Sequence, residues 1–291
     1  MIPLRDDNPT SRVPIVTIVL ITLNVGVFFS LQPQGSDLVT RPGEQVDTRE
    51  RQVEEIEFSF EYAAIPCEIT QGRPLTEEEV VRTVVAGDDT ACADDPRGRS
   101  YFPAKQVWLA AVVSMFLHAN VLHLGGNMLF LWIFGNNIED HLGAVRYVLF
   151  YLVSGVAATA AHVAIQPDST VPMIGASGAV AGVMGAYFVW FPSATIFTAI
   201  FFVFILFRHI QAKWLLGFWF ISQFFVAPDA GVAWMAHVGG FVFGVLIGLV
   251  VRASRAARRA AWTARHTAAT ADPWSGDGER HRRGGGSGRW P

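Results

Sequence analysis

Charge is what this chain has least of. Only 16% of its 291 residues are Asp, Glu, Lys or Arg, against about 25% in a soluble domain, and mean hydropathy is positive, +0.33. That shortage excludes an ordinary water-soluble globule. Lysine is nearly missing, two residues against twenty arginines, a compositional bias without chemical content. No A-x-A-like site follows the first apolar run, which argues against a cleaved signal peptide and for a retained helix. There is no HExxH, and no carboxylate lies at the depth of the candidate histidines, which removes the usual zinc-protease chemistry. No internal repeat is visible, and no paired acids sit at the middle of an apolar run, as a small transporter would need.

The charge that is present is segregated. Residues 32–105 hold sixteen acids and eight bases, and residues 252–291 hold nine arginines and three acids. The rest is almost charge-free. This predicts an all-α polytopic membrane protein, a bundle of six transmembrane helices with a long exported first loop and a basic tail. The expected segments are a cytoplasmic N-terminus (1–12), spans at 13–31, 120–138, 146–166, 173–191, 214–228 and 232–251, an exported loop (32–119) with surface helices, and a tail (252–291) that begins as a basic helix and ends disordered. Gln106–Leu117 is expected along the membrane surface. Pro192 divides a long apolar run, and Ala194–Phe207 is too short to cross, so 192–213 is expected as a cytoplasmic, interfacial or re-entrant piece. Six spans put Arg5, Arg12, Arg208, Lys213 and the tail on one side and the acidic loop on the other, so both termini are expected in the cytoplasm.

Within the loop, Thr76 and Glu79 form a capping-box pattern. Cys67 and Cys92 share the exported loop, where such a pair often forms a disulfide; two unrelated thiols are the alternative, since spacing shows no distance. The tail arginines suit anionic lipid, and nothing invites a nucleic acid.

Three sets of residues invite chemistry. Gly175-Ala-Ser177-Gly178 opens the fourth span; alone, it reads first as helix packing, because small residues let helices approach. Ala236-His237-x-Gly239-Gly240-x-x-x-Gly244 opens the sixth; alone, His237 is equally a satisfied histidine between helices or a functional group. Six spans bring Ser177 and His237 to one depth near the exported face, and an alcohol with an adjacent imidazole is the minimum for nucleophilic catalysis. His123 and Asn127, four residues apart on one helix face, read better as two donors for an oxyanion than as metal ligands. No metal or cofactor is expected.

His123-x-x-x-Asn127, Gly175-x-Ser177-Gly178 and Ala236-His237-x-Gly-Gly240-x-x-x-Gly244, in this order, resemble the rhomboid family of intramembrane serine proteases. Gly135-x-x-x-Glu139-x-x-x-Gly143 resembles that family's turn after the second span, and Asp7-Asn8-Pro9 and Leu23-Asn24-Val25 resemble its bacterial members. The likeness covers roughly residues 1–31 and 106–250. It implies a multi-pass protein of a bacterial cell membrane whose site opens to the exported side and cleaves transmembrane substrates. Ser177 would be the nucleophile and His237 the base; His123, Asn127 and the Ser177 amide would form the oxyanion hole. Gly175, Gly178, Gly240 and Gly244 would allow close approach, His118 would stabilise the loop before the second span, and Glu139 would tie a turn. Two features depart from the pattern. Ala181 stands where some members stack an aromatic ring on the catalytic imidazole, so His237 needs other orienting contacts. The long loop also shows no tryptophan–arginine pair. The aromatic residues of 214–228 either face lipid, the preferred reading, or gate lateral access. The competing reading of the whole chain is an inactive rhomboid-like protein that binds and escorts membrane proteins.

Overall fold

A computed structural model describes residues 1–33, 48–93, 98–201, 204–227 and 232–270. The Gly-rich end of the tail lies outside these residues. The chain divides into two units, Met1–Gly248 and Leu249–Pro291. In the second, the described part is helical to Thr270.

The first unit is mostly helical. In order it contains β1 (Ile2–Asp6), α1 (Ile15–Ser30), α2 (Thr48–Tyr62), α3 (Pro66–Gln71), α4 (Glu77–Ala86), α5 (Val107–Val113) with a 3-10 turn (Ser114–Phe116), and α6 (Val121–Leu142). It continues through α7 (Ala144–Ile165), α8 (Ser177–Trp190), β2 (Thr195–Phe201), β3 (Ile205–Gln211) and α9 (Ala212–Ser222), then a 3-10 turn (Gln223–Phe225). The last helix, α10 (Trp234–Thr270), runs on into the second unit.

Among the described residues, α7 and the Trp234–Thr263 part of α10 are long and apolar enough to cross a membrane. A third crossing results if Val107–Phe116 and α6, bent by 82°, count as one span. The apolar helices α1 and α8 are shorter; at about 1.5 Å per residue they fall short of roughly 30 Å of hydrocarbon. Helix length thus supports two or three crossings where charge-free runs suggested six.

Two boundaries differ for identifiable reasons. The fourth apolar helix starts at Ser177, not Met173, because Gly175 adopts φ +124°, outside helical space. Most of the described part of the 192–213 stretch is β-strand. Its β-branched and aromatic residues form the antiparallel pair β2–β3, and β1 adds on the other edge of β2, with Ile2 opposite Ala199 and Asp6 opposite Ile196. The helix expected over 214–228 is compressed into α9 and its 3-10 turn.

Helix α8 is the centre of the bundle, and eleven of its fourteen residues are buried. Helix α1 presents Thr17, Leu20, Asn24 and Phe28, one face, to the core. The Gly135–Glu139–Gly143 pattern has a separate physical reason at each position. A Cβ on Gly135 would strike the Tyr147 side chain. Glu139 accepts hydrogen bonds from the amides of Val16 (2.9 Å) and Thr17 (2.8 Å) and from Thr17 Oγ1 (2.8 Å), capping α1. Gly143, at φ +80°, turns the chain from α6 into α7. The N-terminus is tied in through Asp6, whose Oδ2 accepts from Tyr187 Oη (2.6 Å) and Asn137 Nδ2 (2.7 Å), while Asn8 Nδ2 donates to Asn137 Oδ1 (2.8 Å).

Helices α2–α4 and the segment after them have a small core of their own, with Phe60, Ile65, Leu75 and Val80 around the Cys67–Cys92 disulfide. Both halves of the Thr76–Glu79 capping box are present. Lys105 and Glu68 pair at 2.6 Å with both side chains almost fully buried. Burial pushes the Glu68 carboxyl up and the Lys105 ammonium down, and their mutual attraction opposes both shifts. Arg73 reaches both Glu79 carboxylate oxygens at 2.8 Å. Burial alone would raise Glu79, but the Arg73 fork and the amides of Thr76 and Ala93 prevail and hold it at about 2. A lowered folded pKa adds stability above the ordinary value near 4.5, and that stability is lost as pH falls toward 2. The Glu79→Gln protein is therefore less stable than the parent at pH 7 and loses less on acidification from pH 5 to pH 3. Thermal unfolding in detergent across that range measures both effects.

Candidate active site

Ser177 is the first residue of α8. The first bond of that helix runs from Val180 N–H to the Ala176 carbonyl (2.9 Å), so the amides of Ser177, Gly178 and Ala179 precede the ladder, at the positive end of the helix dipole. The strand leading into it is anchored twice. Met173 N–H donates to the Ala64 carbonyl (2.8 Å) and Gly175 N–H to the Ser114 carbonyl (2.9 Å).

His237 lies in the first turn of α10, and its Nε2 is 2.8 Å from Ser177 Oγ. The approach depends on glycine. A side-chain carbon on Gly240 would overlap the Gly178 carbonyl oxygen, one on Gly244 that of Gly182, and one on Gly185 that of Phe241. Backbone thus lies directly against backbone along the α8–α10 seam. The other ring nitrogen, Nδ1, is 2.7 Å from Gln223 Oε1, and the Trp219 ring lies 6.0 Å away, tilted by 39°. Ala181 is buried beneath, so the orienting contacts come from the α9 side.

His123 sits in the first turn of α6, where Asn120 caps the helix by accepting the His123 amide at 2.9 Å. His123 Nδ1 accepts the Ala119 amide at 3.4 Å, which leaves Nε2 to carry the proton. The Nε2 side faces Gly175: a Cβ there would lie 3.0 Å from His123 Nε2 and 3.6 Å from Ser177 Oγ, so the glycine keeps the space between them open. Asn127, one turn further, is buried, and its Nδ2 donates to the His123 carbonyl at 2.9 Å. One of its two amide hydrogens is therefore engaged within the helix. His118 is fully buried, with its ring 5.1 Å from that of His123. Its backbone is held by Gln32, which donates to the His118 carbonyl and accepts its amide, both at 2.9 Å. Glu139 is engaged in capping α1, as described above.

Gln32 and Gln223 escaped the sequence reading, and Trp219 was read only as one of the lipid-facing or gating aromatics of 214–228. None belongs to a charged or spaced motif, and their places beside the site depend on tertiary packing. A polar glutamine within the charge-free run 214–228 was the one available signal for Gln223. On α9 and its 3-10 turn, Trp214, Phe218, Phe224 and Phe225 are exposed, whereas Phe220 stacks on Phe241 at 4.8 Å.

A mostly helical chain with long apolar helices fits an integral membrane protein, and the Ser177 and His237 side chains lie within hydrogen-bond reach of each other between α8 and α10. The rhomboid domain is matched over residues 104–254, and the chain belongs to the rhomboid family. It is 32% identical over 153 residues to Rhomboid protein 1, mitochondrial, of Saccharomyces cerevisiae, covering 48% of this chain and 41% of that protein. It is 35% identical over 83 residues to Rhomboid protease GluP of Bacillus subtilis, covering 28% and 16%, and 29% identical over 173 residues to Rhomboid-related protein 2 of Mus musculus, covering 56% and 54%. The chain thus spans about half or less of each of these relatives. They come from a mitochondrion, a bacterium and an animal, so the narrower likeness to bacterial members is not singled out.

The seam yields a clean test. Gly244→Val forces α8 and α10 apart and lowers stability by about 1–3 kcal/mol. Gly217→Ala on α9, where a side chain meets nothing within 4 Å, leaves the melting temperature in detergent unchanged or slightly raised.

Proposed function

We propose that this chain is an intramembrane serine endopeptidase that hydrolyses peptide bonds in or near transmembrane segments of other membrane proteins. The observation that carries this reading is the 2.8 Å approach of Ser177 Oγ to His237 Nε2 at the start of two apolar helices. Printed names such as "Rhomboid protease GluP" and "Rhomboid-type serine protease 2" among its relatives support the same reading.

In this mechanism His237 Nε2 takes the Ser177 proton as Oγ attacks the scissile carbonyl carbon, and later returns it to the leaving amine. The oxyanion forms in the space beside Gly175. It accepts from the Ser177 amide, from His123 Nε2–H and from the remaining Asn127 amide hydrogen, with the α8 dipole adding positive potential. Water then hydrolyses the acyl-enzyme. A helical substrate must unwind for its carbonyl to reach Ser177, which favours segments with Gly, Pro or small residues.

We place the protein with six crossings and both termini in the cytoplasm, the acidic 32–105 segment and the site on the exported side. Charge placement supports this topology, as does the pairing of β2 with the N-terminal strand, which argues against a seventh crossing there. The residues flanking α1 and α8 complete those two spans.

The test is cleavage of a single-span reporter in liposomes. The parent protein cuts it and is labelled by a fluorophosphonate at Ser177, and Ser177→Ala does neither. Equal cleavage by both removes Ser177 from the reaction, and absence of cleavage and labelling in the parent favours the binding and escort role. His123→Ala retains labelling but loses roughly 100- to 1,000-fold in kcat, the usual cost of one oxyanion donor; an unchanged kcat assigns His123 to structure alone.

A further inference from the structure

We propose that Gln223 is an uncharged positioning residue for the Ser177–His237 pair, one whose side-chain carbonyl accepts the Nδ1–H of His237 and so leaves Nε2 free to take the Ser177 proton. This rests on the serine-protease reading above and adds to it the device that orients the base.

The polarity of every link is fixed by its neighbours. Gln223 Nε2 lies 3.0 Å from the Trp219 carbonyl oxygen, which only accepts, so the amide nitrogen faces it. Ser222 Oγ, 3.3 Å from the same nitrogen, gives its own hydrogen to the Trp219 carbonyl at 2.6 Å and is left as an acceptor. Gln223 Oε1 must then point the other way, and it meets His237 Nδ1 at 2.7 Å. An amide oxygen only accepts, so Nδ1 carries the hydrogen. A neutral imidazole has one N–H, so Nε2 presents its lone pair, and Ser177 Oγ stands 2.8 Å from it. Reversing the Gln223 amide would set oxygen against oxygen at Trp219 and leave Nε2 as the donor, unable to accept from serine.

The support is rigid. Gln223 is buried and bonded to the backbone one turn before it, and Trp219 of that same turn also flanks the imidazole. One turn therefore sets both the tautomer and the tilt of His237. In proteases with an aspartate at this point, the carboxylate orients the ring and also stabilises imidazolium by charge. Gln223 supplies orientation only. During attack the serine proton moves to Nε2 and the Nδ1–H to Gln223 bond persists. The Nε2 proton then passes to the leaving amine, so the glutamine neither gains nor loses a proton.

The experiment uses the full chain in detergent, with a single-span reporter peptide and selectively 15N-histidine-labelled protein, the His237 signal being assigned from its loss in His237→Ala. In the parent, the nitrogen spectrum shows His237 protonated at Nδ1. Gln223→Ala gives mixed tautomers and a kcat lower by roughly 10- to 100-fold, the lower range of positioned proton transfer, with KM within about twofold. Gln223→Glu restores the Nδ1 tautomer and moves the acid limb of kcat/KM about one unit to higher pH, because a carboxylate holds a proton on the ring. A merely structural glutamine would not shift that limb. The proposal is overturned by a parent spectrum with the proton on Nε2, by a Gln223→Ala kcat within twofold of the parent, or by an unshifted limb in Gln223→Glu. Should Gln223→Ala fail to accumulate, the parent spectrum and Gln223→Glu decide. Parent-like cleavage by Ser177→Ala would instead sink the protease reading, and the nitrogen spectrum would still report on Gln223.

Discussion

Everything at the site depends on the absence of side chains along one helix seam. Helices α8 and α10 meet with the Gly178 and Gly182 carbonyl oxygens where Gly240 and Gly244 would carry a Cβ, and with the Phe241 carbonyl oxygen where Gly185 would. In hydrocarbon there is no hydrophobic gain from bringing two apolar helices together, so the close fit of backbone on backbone supplies the attraction. It also sets the geometry. Ser177 is one residue before the first of these contacts and His237 three residues before Gly240, so the separation of the reactive atoms is inherited from the seam.

The seam fixes the helices, but the approach to Ser177 is fixed from elsewhere. The chain between α7 and α8 is held by the 48–105 segment: Cys67 N–H donates to the Ser169 carbonyl, Thr170 N–H to the Asp89 carbonyl and Met173 N–H to the Ala64 carbonyl. The disulfide and the buried Lys105–Glu68 and Arg73–Glu79 pairs stiffen that segment. Buried ion pairs are weak contributors to net stability but costly to break singly. They suit a clamp that must keep one shape. The segment that resembles nothing in the family motifs is thus mechanically continuous with the residue that the motifs single out.

How much of this is legible in the sequence follows from how local each cause is. Charge-free runs bounded by Pro14, Asn120 and Gly143 mark α1, α6 and α7 closely, because caps and breakers act on their own helix. The glycine spacing of α10 reads as a contact face for the same reason. The strands that begin within 194–207 are not legible because an apolar run has no inherent period that separates a short helix from a strand. The N-terminal partner of β2, Ile2–Asp6, lies nearly two hundred residues away. The start of α8 fails by one turn because nothing local announces that Gly175 takes a positive φ; the need for it arises from His123 across the site. Gln223 is invisible for the same reason, since its role exists only after α9 has been packed beside α10.

The choice of glutamine over a carboxylate beside His237 has an energetic logic specific to this setting. A buried carboxylate costs several kcal/mol unless it is paired, and beside His237 its pairing would come from the proton it holds on the ring. Among the described residues, no carboxylate is hydrogen-bonded to His237: its ring contacts are Gln223, Ser177 and Trp219. An amide carbonyl accepts the same Nδ1–H at the same distance without that penalty. What is given up is charge stabilisation of the imidazolium, which shifts the burden of transition-state stabilisation to the oxyanion side. There the α8 N-terminus and the His123 Nε2–H converge beside Gly175. On the protease reading proposed above, the two halves of the site are therefore energetically linked: a neutral orienting group behind the base is workable because the opposite charge, the developing oxyanion, would be met by donors that need no charge either.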